Sequence, residues 1–269
     1  MLPVTFLSDY GHHDEYVGVC HGVIERIAPG ATVIDVAHGL PPHDVRTAAL
    51  ALRNALPYLP RGVHLAVVDP KVGMARRPLA LRSHDGHHFV GPDNGLLWPA
   101  VERCGGIDVA IDIEQSPYRL EPVSATFHGR DLFAPVAARL ALEAPIESTG
   151  SPIPPEMVST LELPRAQVGR GKLVGLVLAV DRFGNLQLDA DSEQAREAGF
   201  KPGDAVEVRV DEHRVRATLA RTFGDVPTGE AVLFEDSSGA LALALNGGSA
   251  AEALSAGPDA EVELRPWDG

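Results

Sequence analysis

The sequence runs to 269 residues, 45% of them hydrophobic, with 37 acidic against 23 basic side chains and a formal net charge of −14. That balance repels phosphate backbones, and no basic stripe with interleaved aromatics interrupts it, so nucleic acid is excluded as a partner while a cationic small molecule is favoured. No apolar run approaches the roughly 20 residues of a spanning helix, MLPVTFLSD lacks the features of a signal peptide, and Cys20 and Cys104 alone build neither a disulfide framework nor a zinc site; a cytoplasmic protein with no membrane partner is expected.

The length suits two domains. In chain order, VTFL (4–7) reads as a short buried strand, and 14–28 places Val17, Cys20, Ile24 and Ile27 at helical spacing. TVIDV (32–36) is a second strand, 44–56 a helix, HLAVV (64–68) and HFVG (88–91) further strands, 95–102 a short helix and VAIDI (109–113) a strand. An alanine- and leucine-rich helix over 127–143 closes the series. Strands alternating with helices predict an α/β domain over 1–150 whose mostly parallel sheet is covered on both faces.

Prolines 145, 152, 154, 155 and 164 give the next stretch linker composition, and a proline-rich linker is expected over 151–167. From 168 to 269 the pattern changes to closely spaced β segments: KLVGLVLAV, NLQLD, AVEVRV, RVRATLA, AVLFE, ALALAL and AEVELR. Turn residues separate them, which predicts an all-β barrel or sandwich.

The chemistry-bearing residues cluster at predicted strand ends. FLSDYGHHDEY (6–16) puts Asp9 at the carboxyl end of the first strand, the edge where open α/β sheets bind ligands. No GxGxxG and no GxxxxGK[ST] is present to cradle phosphates, so an acid there suits ribose hydroxyls and a nucleoside rather than a nucleotide. VVDPKVGMARRP (67–78) brings Asp69 to the end of a buried strand with Arg76 and Arg77 in the following loop. GPDNGLL (91–97) places Asn94, an amide that can both donate and accept, at the same edge.

ATFHGRDLFAP (125–135) sets His128 just before a helix, so base, acid and fixed cation (His128, Asp69 and Arg76) all come from loops at one predicted edge. SHDGHH (83–88) reads as a polar turn, and with no HExxH or comparable ligand set no catalytic metal is expected. In the β region, AVDRFGNLQ (179–187) offers Asp181 for an amine, Phe183 as an aromatic face and Asn185 for a purine edge. Each of these stretches also has a bland reading as a turn or helix cap.

In this order and spacing, FLSDYG, VVDPxVGxxRR, GPDNGLL, TFHGRDxFAP and DxFGN resemble the S-adenosyl-L-methionine hydroxide adenosyltransferase family, hydrolases related to fluorinase and chlorinase. Lys71 is a departure, standing where the family usually has glycine in a DPGVG turn. The resemblance implies an N-terminal α/β domain, a C-terminal β-barrel and a homotrimer with active sites between subunits. It implies hydrolysis of S-adenosylmethionine to adenosine and L-methionine, without a cofactor, by Asp69, Arg76 and His128.

By motif, Asp9 would hold the ribose diol, Asn185 and the backbone near Gly247 the adenine edge, and Phe183 or Phe223 an aromatic face of the site. Asp181 would take the methionine ammonium, and Ser237 and Ser238 its carboxylate. Two rival functions share the scaffold. A halogenase needs small hydroxyl donors where His128 and Gly129 stand, and a non-catalytic adenosine or S-adenosylmethionine sensor needs the binding residues without the triad.

Overall fold

The computed structural model describes residues 1–74 and 76–268, and the chain divides into two units, the first ending at Leu161 and the second beginning at Glu162. In the first unit the elements follow as β1 (Val4–Ser8), α1 (Tyr16–Ile27), β2 (Val33–Ala37), α2 (Val45–Ala55), β3 (Val63–Val67), β4 (Pro78–Ser83), β5 (His88–Pro92), α3 (Trp98–Arg103), β6 (Ile107–Asp112), α4 (Ala134–Ala141) and β7 (Ser151–Ile153). They form a sheet of order β2-β1-β3-β5-β4-β6-β7. The pairs from β2 to β5 are parallel and those from β5 to β7 antiparallel, so the parallel character is confined to the half that carries the loops of interest.

Alternation along buried strands explains the two-sided covering. Val4, Phe6, Val63, Leu65 and Val67 meet α1 through Ile24, α4 through Leu140 and the turn before α4 through Phe133. Leu7, Ala66, Val68, Leu79 and Leu81 meet α2 and α3 through Ala48, Leu52 and Val101. Asp44 caps α2, its carboxylate accepting from Thr47 N at 2.9 Å.

The expected single helix over 127–143 is interrupted: Gly129–Phe133 form a π-helical turn before α4 begins at Ala134. Pro135 has no N–H to give to the Asp131 carbonyl, which accepts instead from Leu120 N at 2.7 Å, and the ladder shifts register there. Within the proline-rich stretch, Ser151–Ile153 pair with β6 as an edge strand, a position that tolerates Pro152. Among the described residues no helix is long and apolar enough to cross a membrane.

In the second unit come β8 (Gln167–Gly169), β9 (Lys172–Val180), β10 (Leu186–Asp191), α5 (Ser192–Glu197), β11 (Ala205–Val210), β12 (His213–Leu219), β13 (Ala231–Glu235), β14 (Ala240–Leu245), α6 (Ala250–Ala253) and β15 (Glu261–Pro266). The order β10-β14-β13-β12-β11-β15-β9 is closed by pairing of β9 with β10, which makes a seven-stranded barrel with β8 added outside on β9. Every pair is antiparallel except β12 with β13. Closure removes free edges, and Leu173, Val177, Leu186, Val208, Leu243 and Val262 are among the residues that fill the core.

Candidate active site

β1 and β3 run parallel with Ser8 opposite Val67, so the residues that follow, Asp9 and Asp69, leave the sheet at one edge. Asp9 turns toward the β2–α2 loop, where its Oδ2 accepts from His43 N at 2.9 Å. Asp69 meets Arg76. Its two oxygens accept from Arg76 Nε at 3.1 and 2.9 Å, and Oδ2 also accepts from Arg76 Nη2.

The pair is almost sealed from solvent, with side-chain exposures of 5% for Arg76 and 6% for Asp69. A buried guanidinium is tolerable only when its charge is answered, and here the carboxylate answers it while the Phe133 ring lies 5.4 Å from Arg76 Cζ. Arg76 Nη2 also meets His128 Nδ1 at 2.8 Å. Guanidinium nitrogens carry only donors, so Nδ1 accepts and the neutral imidazole holds its proton on Nε2. Burial, reinforced by the Arg76 charge, keeps His128 below the usual histidine range.

The π-helical turn after His128 is anchored by Asp131, a nearly buried carboxylate that pairs with Arg130 at 2.6 Å and accepts from Ser124 N at 2.8 Å. Burial alone would raise that carboxyl; those partners hold it below its ordinary value. Gly129 is required for a steric reason, since a Cβ there would stand 2.1 Å from the Tyr10 hydroxyl oxygen. Tyr10 itself is held protonated well above its ordinary range by burial first, then by Cys20 and the carboxylates of Asp9 and Asp69. Sequence reasoning passed over Tyr10, although it stands within FLSDYG beside Asp9.

Asp9, Tyr10, Tyr16, Asp69, Phe127 and His128 line a cavity of about 550 Å³, a volume suited to a nucleoside-sized ligand. A second hollow of about 700 Å³ is bordered by Lys71, Met74, Arg76, Arg77 and Asn94. Asn94 thus borders the second hollow, and its amide is engaged within the protein: Nδ2 donates to the Val68 carbonyl at 2.8 Å and Oδ1 accepts from Leu96 N at 3.1 Å. Arg77 pairs with the nearly buried Asp93 at 2.9 Å and donates to the Met157 carbonyl.

The remaining candidates lie in the second unit. Asp181 shapes the DRFGN loop by accepting from Phe183 N, Asn185 N and Asn185 Nδ2 at 2.8, 2.9 and 2.7 Å, which leaves the Phe183 ring 71% exposed. Phe223 packs on Phe234 with ring centroids 4.7 Å apart. Gly247, at φ 80°, follows β14. Ser237 and Ser238 precede that strand, Ser237 exposed and Ser238 bonded to Asp236 and Gln187. The structure therefore joins Asp69, Arg76 and His128 by direct contacts, brings Asp9 to the same cavity, and leaves the barrel residues on separate loops of the second unit, with Ser237 and Ser238 before β14 and Gly247 after it.

Comparison with known proteins follows the same division. Residues 4–150 match the SAM hydroxide adenosyltransferase N-terminal domain and residues 175–263 its C-terminal domain. A protein of Salinispora tropica named (R)-S-adenosyl-L-methionine hydrolase is 46% identical over 255 residues, covering 95% of this chain and 94% of its own. One of the same name from Thermus thermophilus is 44% identical, over 94% of this chain and 96% of its own. A fluorinase of Actinopolyspora mzabensis is more distant, at 28% identity over 92% of each chain.

Among solved structures, an uncharacterized conserved protein from Thermotoga maritima superposes with a TM-score of 0.91 at 37% identity, covering 97% of this chain and 99% of its own. With both domains matched in order and relatives this similar over nearly their whole length, the chain belongs to the SAM hydroxide adenosyltransferase family.

Proposed function

We propose that this protein hydrolyses S-adenosyl-L-methionine, a water oxygen bonding to C5′ of the ribose as the C5′–S bond breaks, to give adenosine and L-methionine. The bonding pair returns to sulfur, so methionine departs as a neutral thioether and needs no acid. The demand falls on water, a poor nucleophile until it approaches hydroxide. A guanidinium that cannot be deprotonated favours the hydroxide form electrostatically. Asp69 fixes that guanidinium from one side. The water's proton passes to His128 Nδ1 as Arg76 Nη2 lets go of that lone pair and turns its N–H to the forming hydroxide. The reaction transfers no electrons and calls on no cofactor.

The observation that carries this reading is the contact chain Asp69–Arg76–His128 beside a nucleoside-sized cavity. Asp9, in the wall of that cavity, takes the ribose diol. The relatives' names specify the (R) sulfonium epimer, and we extend that preference to this chain. The proposal keeps the homotrimer and the cytoplasmic setting. A neighbouring copy supplies Asp181, Phe183, Asn185, Phe223, Ser237, Ser238 and Gly247 to adenine and methionine, a role supported by the exposure of Phe183 on a loop already shaped by Asp181.

The test is incubation with each sulfonium epimer in ¹⁸O-labelled water, with and without excess chloride, followed by mass spectrometry. Labelled adenosine and methionine from the (R) epimer, indifferent to chloride, are expected. A 5′-chloro product would make the protein a halogenase, and binding without turnover would make it a sensor.

A further inference from the structure

Among the described residues, one group of potential metal ligands lies apart from the catalytic contacts: His21 on α1, Asp35 in β2 and His38 in the turn after β2, with one ligand atom of each within 4.8 Å of the other two. His21 Nε2 and His38 Nε2 stand against the same oxygen, Asp35 Oδ1, at 2.8 and 2.9 Å. The His38 ring is 2% exposed and fixed on its far side, where Nδ1 lies 2.7 Å from Ser8 Oγ and the Phe6 ring packs at 4.6 Å between centroids. His21 and Asp35 keep 34% and 46% of their side-chain surface open, so the group is rigid inside and accessible outside.

We propose that His21, Asp35 and His38 bind a divalent transition-metal ion of the zinc class through two imidazole nitrogens and a carboxylate oxygen, with the outward position left to water. Imidazole donors select such ions over magnesium and calcium, which prefer oxygen. Bonds of about 2.0–2.2 Å set ligand atoms roughly 3.3 Å apart around a tetrahedral ion, so the two contacts to Asp35, at 2.8 and 2.9 Å, need to open by only about half an ångström. Ser8 is the kind of outer partner that orients a ligating imidazole.

Protons balance in both states. Without metal the Asp35 carboxylate accepts from both Nε2–H groups, and the Ser8 hydroxyl donates to His38 Nδ1. With metal the proton of each imidazole moves from Nε2 to Nδ1, that of His38 donated to Ser8 Oγ and that of His21 to solvent, so both rings stay neutral and both Nε2 lone pairs are free to ligate.

The ion takes no part in the proposed hydrolysis. Its reach is structural: Ser8 directly precedes Asp9, and the His38 carbonyl accepts from Gly11 N at 2.7 Å, so occupancy braces the turn that carries Asp9 and Tyr10. The test is titration of the chelator-treated, dialysed full-length protein with Co²⁺, read by visible absorption, and with Zn²⁺, read by calorimetry. One ion per chain is expected, with affinity falling at least about tenfold in His21→Gln and in Asp35→Asn and unchanged in His84→Gln, a substitution on a distant surface turn. Circular dichroism would establish that the variants are folded, and the metal-free protein should keep its hydrolase activity. The absence of saturable binding, or binding that survives both ligand substitutions, would overturn the site.

Discussion

Arg76 Nη2 lies 2.8 Å from His128 Nδ1, and because the guanidinium can only donate, this contact exists only while the imidazole is unprotonated at that nitrogen. The native site therefore resists protonation of His128, in keeping with its lowered pKa. On acidification a proton at Nδ1 would set two cations against each other and release Arg76 from one of its supports. We expect kcat/KM to be level near neutrality and to fall on the acid side with an apparent pKa below the ordinary histidine value of about 6.5. His128→Ala should lower kcat by about 10²-fold or more and abolish that acid limb. A pH–rate series on both proteins checks this; an unchanged limb in the variant would assign the titration elsewhere.

Arg76 offers Asp69 two nitrogens and His128 a third contact from one rigid plane. Lysine keeps the charge and loses the plane, so its single nitrogen cannot reproduce the two-nitrogen grip on Asp69 that sets the direction of the other donors. Arg76→Lys should lower kcat by about 10²-fold with KM little changed, because the lost interaction belongs to the reacting water rather than to substrate binding. Steady-state kinetics with the (R) epimer separate the two parameters. A variant that raises KM alone would make Arg76 a binding group.

Gly129 and Tyr10 are matched in shape. Since a methyl group at 129 would sit 2.1 Å from the tyrosine oxygen and 3.1 Å from its Cζ, Gly129→Ala must displace either the ring or the turn that carries His128. We expect lower thermal stability and at least a tenfold loss of kcat, a displacement of about 1 Å sufficing for such effects. Adding Tyr10→Phe removes the closest contact but leaves Cζ in place, so the double variant should recover activity only in part. Melting curves and turnover of the two single variants and the double variant test the coupling.

Much of this arrangement was legible in the residues. Strand positions followed from apolar β-branched runs, and strands one and three had to deliver Asp9 and Asp69 to a common edge once they were parallel neighbours. What escaped depended on contacts across the fold. The π-helical turn arises because Leu120 takes the carbonyl freed by Pro135, a partnership no periodicity reports. The amide of Asn94, expected to face a ligand, also ties the end of β3 to the turn before α3, a use decided by the nearby Val68 carbonyl. His21, Asp35 and His38 are separated by helix, strand and turn, so no ligand spacing marked them.

His64 supplies a prediction about stability. It is fully buried in β3, bonded through Nδ1 to Thr5 Oγ1 and through Nε2 to His87 Nδ1, both at 2.8 Å, and burial foremost lowers its pKa to about 3. The unfolded chain takes up this proton near the ordinary pH of about 6.5, and the native chain does not until about 3. Between those values the unfolded state binds more protons, so the contribution is fully present above pH 6.5 and is lost as pH falls toward 3, at up to about 1.4 kcal/mol per pH unit. His38, His87 and His88 are also lowered by burial and act in the same direction. His64→Gln keeps hydrogen-bonding groups between Thr5 and His87 but cannot titrate, so it should lower stability at neutral pH and flatten its decline with acid. Urea unfolding of both proteins at pH 7 and pH 5 measures the two slopes. Equal slopes would show that the native fold admits the His64 proton and that its burial imposes no acid sensitivity.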